Sequence, residues 1–309
     1  MGKSCRVPHR TQLGQGTERP HVLAVGIGGA GCNTLRVITP SETLERFAVN
    51  DLPHPSMAGI KRRVFLEKTG LREIASMDET AVRALATTAE QAIAVEMAEA
   101  DLVVPIAGLG GEMGSWGASL VARVGALKGA TVLAVATTPF SAEGMNRRGV
   151  AEEALRVLRT HAHGVLAMPN DPLLKLAPNL PLLRAFEVLS RLAVQPIQDL
   201  VRVLTREDLA ALKSHLRVAK DWRLGIGEGF VDHPELAAVE AAFRSPWIPR
   251  DPVDARGVLL LMSLPEVSDW MTRAIVEDVD LRAPRADVLW GAFEDPAADR
   301  VRVSVLLGF

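Results

Sequence analysis

A glycine-rich turn between a predicted strand and a predicted helix is the feature that most limits what this chain can fold into. The apolar run HVLAVG (residues 21–26) leads into GIGGAG (residues 26–31) and then into the helical sequence CNTLRVI. Glycine in such a turn lets backbone N–H groups approach an anion, and the helix start adds positive partial charge. The arrangement predicts a phosphate-binding turn. The same letters satisfy the dinucleotide fingerprint, with Asp51 about 20 residues further on, so this turn alone does not identify the nucleotide.

A second glycine turn follows another strand pattern. The sequence DLVVPIAGLGGEMGSWGAS (residues 101–119) precedes a helical stretch and carries Gly108, Gly110, Gly111, Gly114 and Gly117. Two such turns after neighbouring strands can enclose a polyphosphate from both sides. The dinucleotide fingerprint gives no role to this second turn.

Short β-type runs alternate with helical stretches up to residue 169. The strand patterns are HVLAVG, FAVN, DLVVPIAG, TVLAVATT and GVLAMP, and helical periodicity marks residues 31–38, 79–100, 117–127 and 147–161. This alternation predicts a parallel sheet covered by helices.

The pattern changes after residue 180. Residues 182–203 predict one long helix interrupted by Pro196, and Thr205 is predicted to begin another. Further helices are predicted at residues 234–243 and 265–279, and strands at residues 256–264, 286–293 and 300–309. The last two strands flank the turn EDPAAD and alternate polar with apolar residues, so we expect them to pair antiparallel.

Composition excludes several classes of function. The 309 residues carry a net charge of −2, which gives no broad positive field for a nucleic-acid partner. Two cysteines, Cys5 and Cys32, are too few for a disulfide framework or a zinc cluster, and we expect no metal-ligating cluster. The sequence shows no apolar run of roughly 18 residues and no signal-peptide core. These features predict a cytoplasmic protein with a flexible tail at residues 1–20 and no direct membrane anchor.

The order and spacing of further motifs resemble the tubulin/FtsZ superfamily, and the FtsZ branch most closely. The first glycine turn with Asn33 is similar to the family's GGGGN. Later segments are similar to further motifs of the family, in chain order: AVN-T-D (residues 48–51), TKPF (138–140), EGxxR (143–147), IPND (168–171), LLxAF (182–186), AVQ (193–195) and ARGVL (255–259). The resemblance covers residues 21–308. It implies an α/β fold with a Rossmann-like parallel-sheet GTPase domain (residues 21–180), a connecting helix and shortened catalytic-loop region (residues 181–224), and a smaller α+β C-terminal domain (residues 225–309).

The resemblance implies a guanine nucleotide, GTP or GDP, between the two glycine turns, and self-association into filaments or dimers. Glu143 would accept hydrogen bonds from the ribose, Arg147 would reach ribose or base, and Asn170 offers both a donor and an acceptor. Phe186 would stack on the guanine. Taken singly, each has an equally ordinary structural explanation, such as a core position for Phe186. The remaining implied binding residues are Gly28, Gly29, Ala30, Gly31, Cys32, Asn33, Asn50, Asp51, Gly108, Gly110, Gly111, Glu112, Met113, Gly114 and Ser115.

The second glycine turn departs from the family's GGGTGTG loop. Met113 loses a hydroxyl, Ser115 keeps one, and Trp116 adds bulk. Glu112 brings a negative charge to the place where phosphates are expected. Two like charges about 4 Å apart repel by about 1 kcal/mol in water and by about 4 kcal/mol at a protein surface. We therefore expect weakened triphosphate binding unless Glu112 points away or helps to hold Mg²⁺.

The regions that would cover and hydrolyse the nucleotide are also altered. The family's glycine-rich lid corresponds to residues 67–82, which contain only Gly70. Its NxDxxD loop, which polarises water on the nucleotide of a neighbouring subunit, corresponds to residues 203–208. There Asp208 matches the second acid and Thr205 replaces the first. Asp208, or Glu207 beside it, would orient water, or both acids would simply complement the dipole of a helix start.

Three functional hypotheses follow. The first is an FtsZ-like guanine-nucleotide-binding protein, cytoskeletal or membrane-remodelling, whose GTP hydrolysis is weak or lost. The second is a nucleotide-independent scaffold that kept the fold and binds no nucleotide. The third is a Rossmann-type NAD-binding oxidoreductase, supported only by Gly26, Gly28, Gly31 and Asp51.

Overall fold

The computed structural model describes residues 9–76, 88–230 and 232–309. These residues form two compact units, residues 19–201 and residues 202–309 together with residues 9–18. Residues 79–87 of the predicted helical stretch, and residues 1–8 of the predicted tail, lie outside the described residues.

Strands appear at each of the apolar runs that predicted them. The strands of the described residues are β1 (Arg10–Gln12), β2 (Val22–Ile27), β3 (Leu44–Asn50), β4 (Arg62–Phe65), β5 (Leu102–Gly108), β6 (Thr131–Thr138), β7 (Gly164–Pro169), β8 (Asp221–Gly229), β9 (Gly257–Leu264), β10 (Asp287–Glu294) and β11 (Val301–Gly308).

Helices connect most of these strands. The α-helices of the described residues are α1 (Gly28–Thr34), α2 (Leu71–Ser76), α3 (Thr88–Glu96), α4 (Ala118–Leu127), α5 (Met145–His161), α6 (Asp171–Leu176), α7 (Leu182–Val203), α8 (Leu209–Leu216), α9 (Pro234–Phe243) and α10 (Asp269–Arg282). A π-helical turn, Met113–Gly117, immediately precedes α4. Single 3₁₀ turns occur at Leu35–Val37, Pro55–Met57, Ser141–Glu143 and Pro252–Asp254.

The sheet of residues 19–201 is parallel throughout, as predicted. Its strand order is β4-β3-β2-β5-β6-β7. Every residue of β2 is buried and β5 and β6 are nearly so, which is the expected result when both faces of a parallel sheet are covered. Because the strands share one direction, their carboxyl ends meet at a single edge. Ile27 at the end of β2 lies opposite Val49 of β3 and Ala107 of β5, so both glycine turns leave this edge.

The sheet of residues 9–18 and 202–309 has the order β1-β10-β9-β11-β8, and it corrects one prediction. The last two strands do not form an antiparallel pair with each other. Strand β10 runs parallel to β9 and β1, whereas β11 lies antiparallel between β8 and β9. Strand β11 lies in the interior of the sheet, because it pairs on both sides, and its residues are buried along almost the whole strand. Alternation of polar and apolar residues indicated a strand but could not identify its partner.

Strand β8 was missed because glycines interrupt its pattern. A Cβ at Gly225 would lie 2.1 Å from the Ala242 carbonyl oxygen, and one at Gly227 would lie 2.0 Å from the Ala238 carbonyl oxygen. Both carbonyls belong to the alanine-rich helix α9, which packs directly on the glycine-lined face of the strand. Glycine in a strand often marks such a close approach of another backbone.

Helix α7 corrects the prediction of an interruption at Pro196, because it continues unbroken from Leu182 to Val203. A proline inside a helix costs about 3 kcal/mol. Buried apolar residues recur along one face of α7: Ala185, Leu189, Ala193, Ile197 and Leu200. Burial of each leucine or isoleucine among them stabilises the fold by about 1.5–3 kcal/mol. Burial of this face outweighs the missing hydrogen bond.

Two boundaries also differ from the predictions. The helix predicted to begin at Thr205 begins at Leu209, after the turn formed by Arg206 and its neighbours. Part of the predicted flexible tail is ordered, since Arg10–Gln12 forms β1 and Leu13 is buried.

Candidate functional site

The first glycine turn begins where β2 ends and continues into α1. A Cβ at Gly31 would lie 2.1 Å from the Ile106 carbonyl oxygen on β5, so glycine permits a packing distance that no other residue could. The buried Cys32 has its Sγ 3.4 Å from the Gly26 carbonyl oxygen. Burial raises the pKa of this thiol to about 11, so it stays protonated and unreactive at neutral pH. Any role of Cys32 is therefore in packing or through its backbone.

The second glycine turn begins at the end of β5 and enters the π-helical turn. A Cβ at Gly114 would lie 2.2 Å from the Gly108 carbonyl oxygen. The fully buried Ser115 accepts a hydrogen bond at Oγ from the Gly110 backbone N–H, at 2.9 Å. The hydroxyl therefore holds the turn in shape. Isolated π-helical turns are rare and occur frequently at functional sites.

The two glycine turns lie directly against each other. A Cβ at Gly28 would be 3.1 Å from the Gly114 nitrogen, and a Cβ at Gly108 would be 2.7 Å from the Ala30 Cβ. By contrast, a Cβ at Gly29 or Gly111 would meet no protein atom within 4 Å. The turns thus combine tight mutual packing with two glycines that face open space, which is the geometry needed for a ligand to approach the backbone.

An acid and a lysine lie beside the first turn at the same sheet edge. The Asp51 carboxylate pairs with Lys68 Nζ at 2.5 Å, and this contact holds the pKa of Asp51 below its usual value. The buried Asn50 donates from Nδ2 to the Leu52 carbonyl oxygen at 2.9 Å. Residues 51–52 and 65–69 line a cavity of about 390 Å³. Lys68 was not singled out from the sequence, although a lysine just before Thr-Gly at a strand end is a usable signal.

Glu143 and Arg147 form a connected pair on the other side of the second turn. Glu143 accepts from the Phe140 backbone N–H at 2.8 Å, and its other oxygen lies 2.5 Å from Arg147 Nη1. A Cβ at Gly110 would be 2.9 Å from the Arg147 carbonyl oxygen, so this pair adjoins the glycine turn. Arg147 remains more than half exposed and able to reach a ligand.

Asn170 is buried and Phe186 is partly exposed. Asn170 is 5% exposed, and its Oδ1 is buried with no hydrogen-bond partner among the described residues. A buried polar atom without a partner is costly, and a ligand donor would satisfy it. The Phe186 ring is 41% exposed and makes an edge contact with Phe140 at 5.7 Å between centroids. Thr34, at the end of α1, contacts Ser190 one turn beyond Phe186 at 3.0 Å.

An arginine on α2, Arg72, lies over the ring of Trp116, one of the altered residues of the second turn. Trp116 and Met113 are buried, whereas Glu112 is exposed. The Arg72 guanidinium lies 5.4 Å from the Trp116 ring centre and 2.5 Å from Glu153. Glu153 raises the pKa of Arg72 most, and Glu112 adds to the effect, so the guanidinium also feels the Glu112 charge. This opposing charge was not anticipated from the sequence.

The acidic turn, residues 203–208, lies in the unit of residues 9–18 and 202–309. Asp208 Oδ2 accepts three hydrogen bonds, from Thr205 N at 2.9 Å, Thr205 Oγ1 at 2.7 Å and Gly14 N at 2.9 Å. Asp208 and Thr205 are buried and Glu207 is exposed. Asp208 is thus engaged in holding the turn that precedes α8.

Two negative findings apply to the part of the chain that the structure describes. No three His, Cys, Asp or Glu side chains there come together in a way that could hold a metal ion. Over the same residues, none of the helices is both long enough and apolar enough to span a bilayer.

Comparison with known proteins identifies relatives along most of the chain. Residues 21–178 match the model of the tubulin/FtsZ family, GTPase domain. Cell division protein FtsZ 1 of Pyrococcus horikoshii is 31% identical over 94% of this chain and 81% of its own length. Cell division protein FtsZ of Methanothermobacter thermautotrophicus is 30% identical over 94% of this chain and 79% of its own length.

Solved structures of FtsZ and CetZ proteins are also similar to this chain. An FtsZ dimer from M. jannaschii, described as empty, has a TM-score of 0.80 at 28% identity and covers 94% of this chain and 88% of its own. CetZ2 from Haloferax volcanii, in a GTPγS-bound protofilament, has a TM-score of 0.69 at 19% identity, covers 93% of this chain and 92% of its own, and supports the fold alone. The motifs, the parallel sheet with its paired glycine turns and these similarities lead to one conclusion: the chain belongs to the tubulin/FtsZ family and is FtsZ-like.

Proposed function

We propose that this chain binds GTP or GDP between its two glycine turns, hydrolyses GTP slowly, and associates with further copies of itself. The observation that carries this proposal is the contact between the turns around Gly28 and Gly114, beside open space at Gly29 and Gly111. Glycine backbone in this arrangement suits the close approach of phosphate oxygens.

The remaining residues of this edge suit the rest of a guanine nucleotide. Glu143 is suited to accept from ribose hydroxyls and Arg147 to donate to ribose or base. The Oδ1 of Asn170 needs a donor, and the amino and ring N–H groups of guanine are donors. The exposed part of the Phe186 ring is available for stacking.

The charges near the turns support binding of a polyphosphate in spite of Glu112. Glu112 makes a small contribution to the raised pKa of Arg72, which places a cation in its field, and Lys68 brings a second cation to the sheet edge. These cations reduce the repulsion that Glu112 alone would impose on a triphosphate. Asp51 and Glu112 are acids of this edge whose carboxylate oxygens would hold Mg²⁺, and the ion would offset phosphate charge.

Slow hydrolysis follows from the acidic turn. A carboxylate that orients water must have a lone pair free to accept the water's proton. Asp208 is buried and commits Oδ2 to three hydrogen bonds, from Thr205 and Gly14, which leaves only Oδ1 to orient a water. Glu207 is exposed but lies next to the position of the family's acid rather than at it.

Self-association is proposed from the relatives. The M. jannaschii protein is described as a dimer and the Haloferax volcanii protein as a protofilament. The related proteins from Pyrococcus and Methanothermobacter are named as cell division proteins. We extend self-association and a role in cell division to this chain, as a nucleotide-binding cytoskeletal protein.

The test begins with protein purified without added nucleotide. Denaturation followed by chromatography should release GDP or GTP, and titration should favour GTP and GDP over ATP and NADH. Light scattering and phosphate release, with and without Mg²⁺, then measure assembly and hydrolysis. Rapid GTP turnover would refute the slow hydrolysis, and failure to bind either guanine nucleotide would refute the site.

A second candidate is a nucleotide-independent scaffold, favoured by the buried Trp116 and the added charge of Glu112. It predicts assembly that is unaffected by any nucleotide, with recovery of GTP binding in a Glu112→Gly variant. Tight GTP binding by the unaltered protein would end this candidate. The oxidoreductase hypothesis makes no use of the second glycine turn, and preferential binding of NADH is the result that would revive it.

A further inference from the structure

The N-terminal segment of residues 9–18, here called the strap, is anchored to the unit of residues 202–309. Its strand β1 pairs in parallel with the edge strand β10, with Thr11 opposite Leu289. Arg10 forms an ion pair with Asp280 on α10, and Leu13 is 3% exposed. These contacts fix the direction in which the strap leaves the sheet.

Beyond β1, the strap lies on the acidic turn. The Gly14 backbone N–H donates to Asp208 Oδ2 at 2.9 Å. A Cβ at Gly16 would lie 2.0 Å from Glu207 Oε2 and 2.8 Å from Thr205 Oγ1. The Arg206 backbone N–H donates to the Glu18 carbonyl oxygen at 2.8 Å. The strap therefore contacts both acids that are candidates for hydrolysis.

We propose that the strap is an autoinhibitory segment, which keeps the acidic turn from acting on the nucleotide of a neighbouring copy. The inference rests on the proposed function. Gly14 supplies one of the three donors that occupy Asp208 Oδ2, and Gly16 lies against the Glu207 carboxylate. Release of the strap removes the Gly14 donor from Asp208 Oδ2 and the backbone that lies against the Glu207 carboxylate, so that both acids gain room to contact a water.

The test compares Leu13→Asp with Gln12→Asp in the full chain. Both variants add one negative charge to the strap, but Leu13 is buried and Gln12 is exposed, so only Leu13→Asp should detach it. Neither substitution touches the acids. Detachment is measured by amide hydrogen exchange of the strap, in which the Leu13 and Gly14 N–H groups are hydrogen-bonded to Trp290 and Asp208. We expect faster exchange of the strap amides and at least tenfold faster phosphate release from GTP for Leu13→Asp, at unchanged GTP affinity, and neither change for Gln12→Asp.

A second releasing variant guards against failure of Leu13→Asp to fold. Thr11→Pro removes a backbone N–H on the side of β1 that pairs with β10, without entering the core. Unchanged hydrolysis in a folded, GTP-binding variant with a released strap would overturn the proposal while leaving the proposed function intact. Unchanged hydrogen exchange of the strap amides in both variants would contradict the anchoring contacts and overturn it as well. Absence of GTP binding in every protein would overturn the proposed function, and the strap's inhibitory role with it.

Discussion

Substituting Gly29 by alanine should separate the nucleotide site from the stability of the fold. Gly29 lies within α1, and its added Cβ would meet no protein atom within 4 Å. Alanine is favoured over glycine inside a helix by about 0.8–1 kcal/mol, so the unliganded protein should be unchanged or stabilised by up to about this amount. The new methyl group would occupy the open space through which phosphate is proposed to approach. We expect GTP and GDP affinity to fall by tenfold or more, which corresponds to about 1.4 kcal/mol.

Two controls make this result specific. Gly149→Ala on α5 also places its Cβ in open space and should give the helix gain without loss of affinity. Gly31→Ala should instead destabilise the fold by at least about 1–3 kcal/mol, because its Cβ would overlap the Ile106 carbonyl oxygen at 2.1 Å. Calorimetric titration measures affinity, and urea unfolding without nucleotide measures stability. Unchanged GTP affinity in folded Gly29→Ala protein would refute the assignment of this space to phosphate.

Three further predictions concern charges. Burial lowers the pKa of His215 from 6.5 to about 4, so as pH falls the unfolded state binds this proton before the folded state does. The free energy of unfolding should therefore drop by about 2 kcal/mol between pH 8 and pH 5. Urea titrations of His215→Gln should lack this part of the drop. Lys68→Gln should weaken GTP binding more than GDP binding in calorimetric titrations, whereas the exposed control Lys61→Gln should not. Arg72→Met should lower GTP affinity by leaving Glu112 unopposed, and adding Glu112→Gln should restore it; equal losses in the single and double variants would contradict this coupling.

Much of the unit of residues 19–201 could be predicted because its strands are buried on both faces. Continuous apolar runs such as those of β2, β5 and β6 have one reasonable interpretation, and the glycine turns mark where strands end. Parallel direction then brings the turns to one edge without further information. The position of the candidate site therefore followed from local patterns.

Contacts between distant parts of the chain could not be predicted in this way. Arg72 lies 40 or more residues from Glu112 and Trp116, and no local pattern relates them. The strap contains no strong strand pattern, because the exposed residues of an edge strand carry no hydrophobic alternation. Helix α7 shows the opposite failure, where a strong local signal at Pro196 was overridden by burial of one helix face.

Asn170 gives the sharpest physical reason to favour a nucleotide over a scaffold that has lost its ligand. Its Oδ1 is buried without a partner among the described residues, and leaving such an atom unsatisfied costs about 1–3 kcal/mol. A protein with no ligand at this edge gains nothing from that cost, since a small apolar residue would remove it. A nucleotide that donates to Oδ1 recovers it on binding. Asn170→Ala should therefore leave the unliganded protein as stable as before, or more so, while weakening guanine-nucleotide binding; a variant that lost stability at unchanged affinity would indicate a structural role instead.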